Sequence, residues 1–182
     1  FNLQEEGAFN FVDGIANKLI LSEEQLFENL QRVQQENEIQ VSSALNGLDF
    51  SVEMETGTGK TYVYLRTIYE LNIHYGFKKF VIVVPSVAIR EGVLKNLEIT
   101  HEHFQNLYDN IPVNFRVYDS TKVSALRGFA TGNNIEILVI NIDSFAKDEN
   151  IINRPNDKLN GLLPVEFIRS VSPVVIVDEP QN

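Results

Sequence analysis

Met54-Glu55-Thr56-Gly57-Thr58-Gly59-Lys60-Thr61 is the stretch on which the reading of this chain turns. An alternating run over residues 48–54 leads into it, and an amphipathic stretch over residues 62–75 follows. The glycines are therefore expected where a strand ends and a helix begins. Glycine there lets the backbone turn its amides inward with no Cβ in the way. Several N–H groups then converge beside the positive end of a helix, a seat suited to a phosphate. Lys60 has the reach for β- and γ-phosphates, and the Thr61 hydroxyl suits Mg²⁺. The expected nucleotide-binding residues are Thr56, Gly57, Thr58, Gly59, Lys60 and Thr61. Met54 stands where such a loop usually has its first glycine, so the start of the loop must differ in shape while Gly-x-Gly-Lys-Thr is kept.

Val174-Val175-Ile176-Val177-Asp178-Glu179-Pro180-Gln181 supplies the complementary half. A buried strand is expected to end in two acids, at the carboxyl edge where open α/β sheets bind ligands. Asp178 would hold Mg²⁺ through water, and Glu179 would orient and deprotonate the water that attacks a γ-phosphate. Acids often finish strands, so the pair says little by itself. Joined to the loop at 54–61, it completes the parts of one reaction, with Lys60 and Glu179 as its catalytic residues.

Around these two stretches the chain alternates. Runs at 48–54, 80–84, 113–118, 137–140 and 174–177 read as strands. The first and third alternate apolar with polar, as half-buried or edge strands do. The other three are continuously apolar and rich in Val and Ile, as in strands covered on both faces of a parallel sheet. Residues 62–75, 87–98 and 121–130 are each long enough for a crossover helix, so the fold class is α/β with a mainly parallel, doubly wound sheet. Residues 148–161, with Asn150, Asn153, Asn156 and Asn160, read as a solvated loop and a candidate lid. Near the start, Ser22-Glu23-Glu24-Gln25 has the form of a helix start, capped by serine with acids in the first turn.

Composition narrows the classes. At 182 residues and 43% hydrophobic content, the chain has enough for one domain with a core, and a disordered tail is excluded. No apolar run approaches the roughly 20 residues of a membrane helix. The absence of cysteine removes disulfides and thiolate chemistry. The net charge of −10 argues against a dedicated nucleic-acid module with a basic face. Residues 1–46 carry −6 of it, eight acids against Lys18 and Arg32, so the body is nearly balanced. Any polyanion must be gripped locally. Residues 1–46 are expected to form an acidic, helical segment, and residues 47–182 a domain cut just after the Asp178-Glu179 pair. The opening residues are acidic, unlike a secretory leader.

Thr-Gly-Thr-Gly-Lys-Thr at 56–61 followed by Asp-Glu-Pro-Gln at 178–181 resembles motifs I and II of superfamily-two helicases and translocases. Residues 54–71 and Phe-Val-Ile-Val-Val-Pro-Ser-Val-Ala-Ile-Arg-Glu-Gly-Val-Leu at 80–94 are similar, more narrowly, to the restriction (Res) subunit of type III restriction-modification enzymes. The resemblance covers most of residues 48–182. It implies the first RecA-like domain of an ATP-driven DNA translocase, with ATP and Mg²⁺ as cofactors. The partners it implies are double-stranded DNA, a modification (methyltransferase) subunit, and second RecA-like and nuclease domains of the same longer chain, in the bacterial cytoplasm and without a membrane. By the same resemblance, Pro85, Ser86 and Arg90 align with a DNA-contacting motif, and Asn141 and Ser144 fall near the next. Such loops touch the sugar–phosphate backbone through amides and hydroxyls, which reconciles DNA contact with an acidic chain. Ser86 as a helix cap and Arg90 as a solvated helix face are the plainer readings. Leu3-Gln4-Glu5-Glu6-Gly7-Ala8 resembles the glutamine motif that reads adenine, with Gln4 as its reader. No arginine finger accompanies the two motifs, so the piece alone is expected to hydrolyse ATP very slowly.

Two further classes stay open. A nucleotide-switched DNA-binding module, or a superfamily-two helicase without restriction activity, would use the same loop. A small-molecule kinase would want a basic lid, and residues 148–161 hold only Arg154 and Lys158. His101 and His103 are two apart, which on a helix points them to different sides, so a metal site there is not expected. The aromatics after residue 50 are expected to pack in the core.

Overall fold

The computed structural model describes residues 15–145, 150–159 and 161–179. They form two compact units, one of Leu19–Thr58 and one that joins residues 15–18 with the described residues from Gly59 onward.

The smaller unit holds one helix, α1 (Glu23–Glu36). Ser22 caps it: its Oγ accepts the Gln25 N–H at 3.2 Å, and the Gln25 side chain accepts the Ser22 N–H at 2.9 Å. Glu23 and Glu24 add charge that favours the positive helix end. Gln34 holds the returning chain, its Oε1 accepting the Ser42 N–H at 2.8 Å. No residue of α1 is buried. Residues 48–54 do not form the expected strand. Alternation describes a half-buried surface, but a strand also needs a neighbour to bond, and Val52 is 81% exposed.

The larger unit is a four-stranded sheet with helices on both faces. Its elements are α2 (Lys60–Tyr75), β1 (Lys79–Val84), α3 (Val87–Leu107), β2 (Val113–Val117), α4 (Ala125–Thr131), β3 (Ile135–Asn141), α5 (Pro164–Ser170) and β4 (Val174–Val177). The strand order is β2-β3-β1-β4, and every pairing is parallel. Central β1 is buried along its whole length, as its Phe-Val-Ile-Val-Val run predicts. Phe80, Ile82, Ile137 and Val139 face Leu65 and Ile68 of α2 and Val93 and Phe104 of α3. Val81, Val83, Leu138 and Ile140 face Leu126 and Phe129 of α4 and Phe167 and Ile168 of α5. Between α2 and α3 the rings stack, Tyr69 on Phe104 at 5.0 Å and on Tyr108 at 4.8 Å. These aromatics serve packing.

Two expectations are corrected here. β4 lies at an edge rather than covered on both faces: Val174 and Ile176 pack inward, while Val175 and Val177 are 54% and 45% exposed. The segment read as a solvated loop is anchored, because Ile152 and Leu159 are completely buried in the core beside α5.

Two charged side chains also lie inside. Lys79 Nζ donates to the carbonyls of Phe129, at 2.7 Å, and Gly132, at 2.5 Å, at the carboxyl end of α4. There a cation satisfies orphan acceptors. Burial, helped by Arg116 and Lys78, pulls the Lys79 pKa down to about 8. Glu136 on neighbouring β3 accepts from Arg116 Nη1 and from Asn114 Nδ2. Gly132 borders that carboxylate so closely that a Cβ there would run into it. Asn17 closes this end of the sheet: its Oδ1 accepts the N–H groups of Lys78 and Lys79 at 2.8 and 3.0 Å, and its Nδ2 donates to the Lys79 carbonyl at 2.7 Å.

Candidate nucleotide-binding site

The site forms at the opposite, carboxyl edge of the sheet. In register, Val84 lies beside Asn141 and Val83 beside Val177. The Asp178 N–H continues the ladder to the Val83 carbonyl at 2.9 Å. Residues 85, 141 and 178 therefore leave the sheet together. A shallow cleft between them is lined by Pro85, Ile142, Val177, Asp178 and Glu179. Glu179 takes a left-handed backbone, φ 53°.

The glycine loop is divided between the units. Thr56, Gly57 and Thr58 belong to the smaller one, where the Thr58 hydroxyl donates to the Glu55 carbonyl at 2.6 Å. Gly59, Lys60 and Thr61 belong to the larger one. Gly59 takes φ 89° at the N-cap of α2, a conformation open to glycine and costly for others, and no side chain caps the helix. The leading N–H groups of α2 thus have no side-chain acceptor from the cap. Lys60 and Thr61 occupy its first turn.

Within the larger unit these residues meet the acids of β4 through Tyr64. The Tyr64 hydroxyl donates to Asp178 Oδ2 at 3.4 Å, one helical turn on from Thr61. Burial, chiefly, and then the Asp178 charge push that phenol well above the ordinary tyrosine pKa, while Thr61 pulls the other way. Burial also raises the Asp178 carboxyl above its ordinary value. Glu179 adds to the rise, and Lys60 and the Tyr64 hydroxyl oppose it. Through Tyr64 the structure thus sets the first turn of α2, with Lys60 and Thr61, beside Asp178 and Glu179, four residues named from the sequence. Tyr64 is a fifth, not named there; its spacing of three from Thr61, one helical turn on, was the available signal.

Among the described residues no group of three or more His, Asp or Glu side chains gathers as a metal cage. The Asp178 carboxylate at the cleft and the Thr61 hydroxyl in the first turn of α2, both hard oxygen donors, instead fit an ion such as Mg²⁺. That ion takes one or two protein oxygens and leaves the rest to phosphate and water.

The residues named for DNA contact lie on the same edge; Pro85 lines the cleft, and the other four have local partners. Ser86 caps α3, its Oγ accepting the Ile89 N–H at 3.3 Å. Arg90 pairs with Glu91 at 2.9 Å. Asn141 Oδ1 accepts the Asp143 N–H at 2.9 Å, and the Ser144 carbonyl accepts from Asn150 Nδ2 at 3.1 Å. Gln4 lies outside the described residues. His103 is engaged with the Tyr62 hydroxyl, at 2.9 Å.

The family model described as type III restriction enzyme, res subunit, matches residues 18–180. The chain belongs to this family. It is 32% identical to the Res subunit of the type III restriction-modification enzyme EcoP15I of Escherichia coli, over 95% of the chain. It is likewise 32% identical to the EcoPI Res subunit of Escherichia phage P1, over 91% of the chain, and 35% identical to the StyLTI Res subunit of Salmonella typhimurium, over 74%. The chain spans about a fifth of the length of these relatives: 21%, 19% and 16%. Its RecA-like α/β class, with all-parallel pairing and helices on both faces, agrees with the expectation from sequence.

Proposed function

We propose that this chain is the nucleotide-holding half of a DNA-dependent ATPase motor in a type III restriction subunit. The observation that carries the reading is the convergence, at one sheet edge, of Lys60 and Thr61 from the start of α2 with Asp178 and Glu179 from the end of β4. In this reading Gly57 to Lys60 seat the phosphates of ATP and Lys60 bears on the outer ones. Thr61 and Asp178 hold Mg²⁺, which supplies charge neutralisation on the phosphate oxygens when bound. Glu179 holds the attacking water and accepts its proton. Double-stranded DNA is the proposed track, met along Pro85, Ser86, Arg90, Asn141 and Ser144. A modification subunit, a second motor domain and a nuclease domain are the proposed partners, in the bacterial cytoplasm.

The test uses the full-length protein. Lys60→Ala abolishes MgATP binding in a calorimetric titration while the fold is kept. Asp178→Asn raises the Mg²⁺ concentration needed for half-maximal phosphate release. If Glu179→Gln left DNA-stimulated phosphate release intact, the motor reading would fail and a nucleotide-switched binding module would replace it.

A further inference from the structure

Resting on that reading, we propose that Tyr64 is a positioning residue that holds the Asp178 carboxylate toward the first turn of α2, where Thr61 and the divalent ion would meet it. The two residues come from distant parts of the chain, Thr61 from the first turn of α2 and Asp178 from the residue after β4. Among the described residues β4 pairs with β1, and no strand pairing links it to α2. Tyr64 spans the gap. It stands three residues after Thr61 on the same face of α2, and its hydroxyl donates to Asp178 Oδ2, 3.4 Å away. Its ring is held, half-buried, against the core of the α2–α3 face, so the hydroxyl has little freedom to wander.

A phenol suits this place. Its one O–H donates to the carboxylate and orients it. It adds no charge and does not compete as a ligand in its protonated form. Without it, Asp178 is free to choose other rotamers, and the ion must order it on arrival. Outer partners of this kind are typically worth about 10–100-fold in metal affinity.

The experiment titrates Mn²⁺, read by electron paramagnetic resonance, into the full-length protein saturated with a non-hydrolysable ATP analogue. Tyr64→Phe keeps the ring, so the melting temperature stays near wild type while the Mn²⁺ dissociation constant rises about 10-fold. Analogue binding in EDTA is unchanged. Tyr64→Leu, which fills the same apolar seat without a ring, shows the same rise should the phenylalanine variant fold poorly. Tyr64→Phe placed on Asp178→Asn adds no further loss, because the tyrosine acts through that carboxylate. Wild-type Mn²⁺ affinity in both hydroxyl-free variants, with Asp178→Asn still impaired, overturns the role of Tyr64 and leaves the site reading standing. Wild-type affinity in Asp178→Asn itself overturns the site reading.

Discussion

Glu179 sits in the left-handed region, φ 53°, where a side chain crowds its own backbone. A non-glycine residue held there costs about 1 kcal/mol, and such strain is found where a site demands a particular direction. Glu179→Gly is expected to raise stability by up to about 1 kcal/mol in urea denaturation. Glu179→Gln, with the same backbone and the same bulk, leaves stability unchanged. Both lower DNA-stimulated phosphate release by about 10²–10⁴-fold, the usual worth of a positioned base. A glycine variant less stable than wild type would show that the observed backbone carries no penalty.

Among the elements, α4 depends on a gap. Gly132 follows it directly beside the Glu136 carboxylate, which Arg116 and Asn114 fix in place, so a methyl group has no side chain to push aside easily. Gly132→Ala should destabilise by about 1–3 kcal/mol, measured by the same denaturation. At α3, Ser86→Ala removes a cap and costs about 1 kcal/mol. Ser86→Asp restores the capping oxygen but adds a negative charge at the proposed DNA track. The expected result is near-native stability with a higher DNA concentration needed for half-maximal stimulation; an unchanged requirement would leave Ser86 as a cap only. The elements differ in how plainly the sequence announces them. β1 is plain because its apolar run is unbroken, yet its first residue, Lys79, and Glu136 of β3 are charged and buried, which hydrophobic patterning reads as loop. α5 was not expected, although Pro164 at its first turn with Phe167, Ile168 and Val171 at helical spacing was the mark of it. Residues 48–54 erred the other way, a strand pattern without a strand to pair with. Tyr64 was hidden for a different reason: its partner Asp178 is 114 positions away, and only the fold makes them neighbours.

For the molecule as a whole, the buried amine of Lys79 couples folding to alkali. Its pKa falls from 10.5 to about 8 on folding, so the folded chain sheds this proton first. Below about pH 8 both states hold it and the residue adds no slope. Between about pH 8 and about pH 10.5 the unfolded chain binds more protons, so this residue makes stability climb with pH, by up to about 3 kcal/mol in all. Lys79→Met lacks the climb. Urea midpoints of both proteins at about pH 7.5 and about pH 9.5 should show the wild type gaining on the variant at the higher pH, and parallel behaviour would refute the shift. A last consequence concerns handling rather than catalysis. The outer rim of β4, with Val175 and Val177 in the open, is a sticky seam of the kind that recruits copies of itself into precipitate. Purified as this 182-residue piece, the protein should turn cloudy as it is concentrated, and a lysine at position 175 should keep the solution clear.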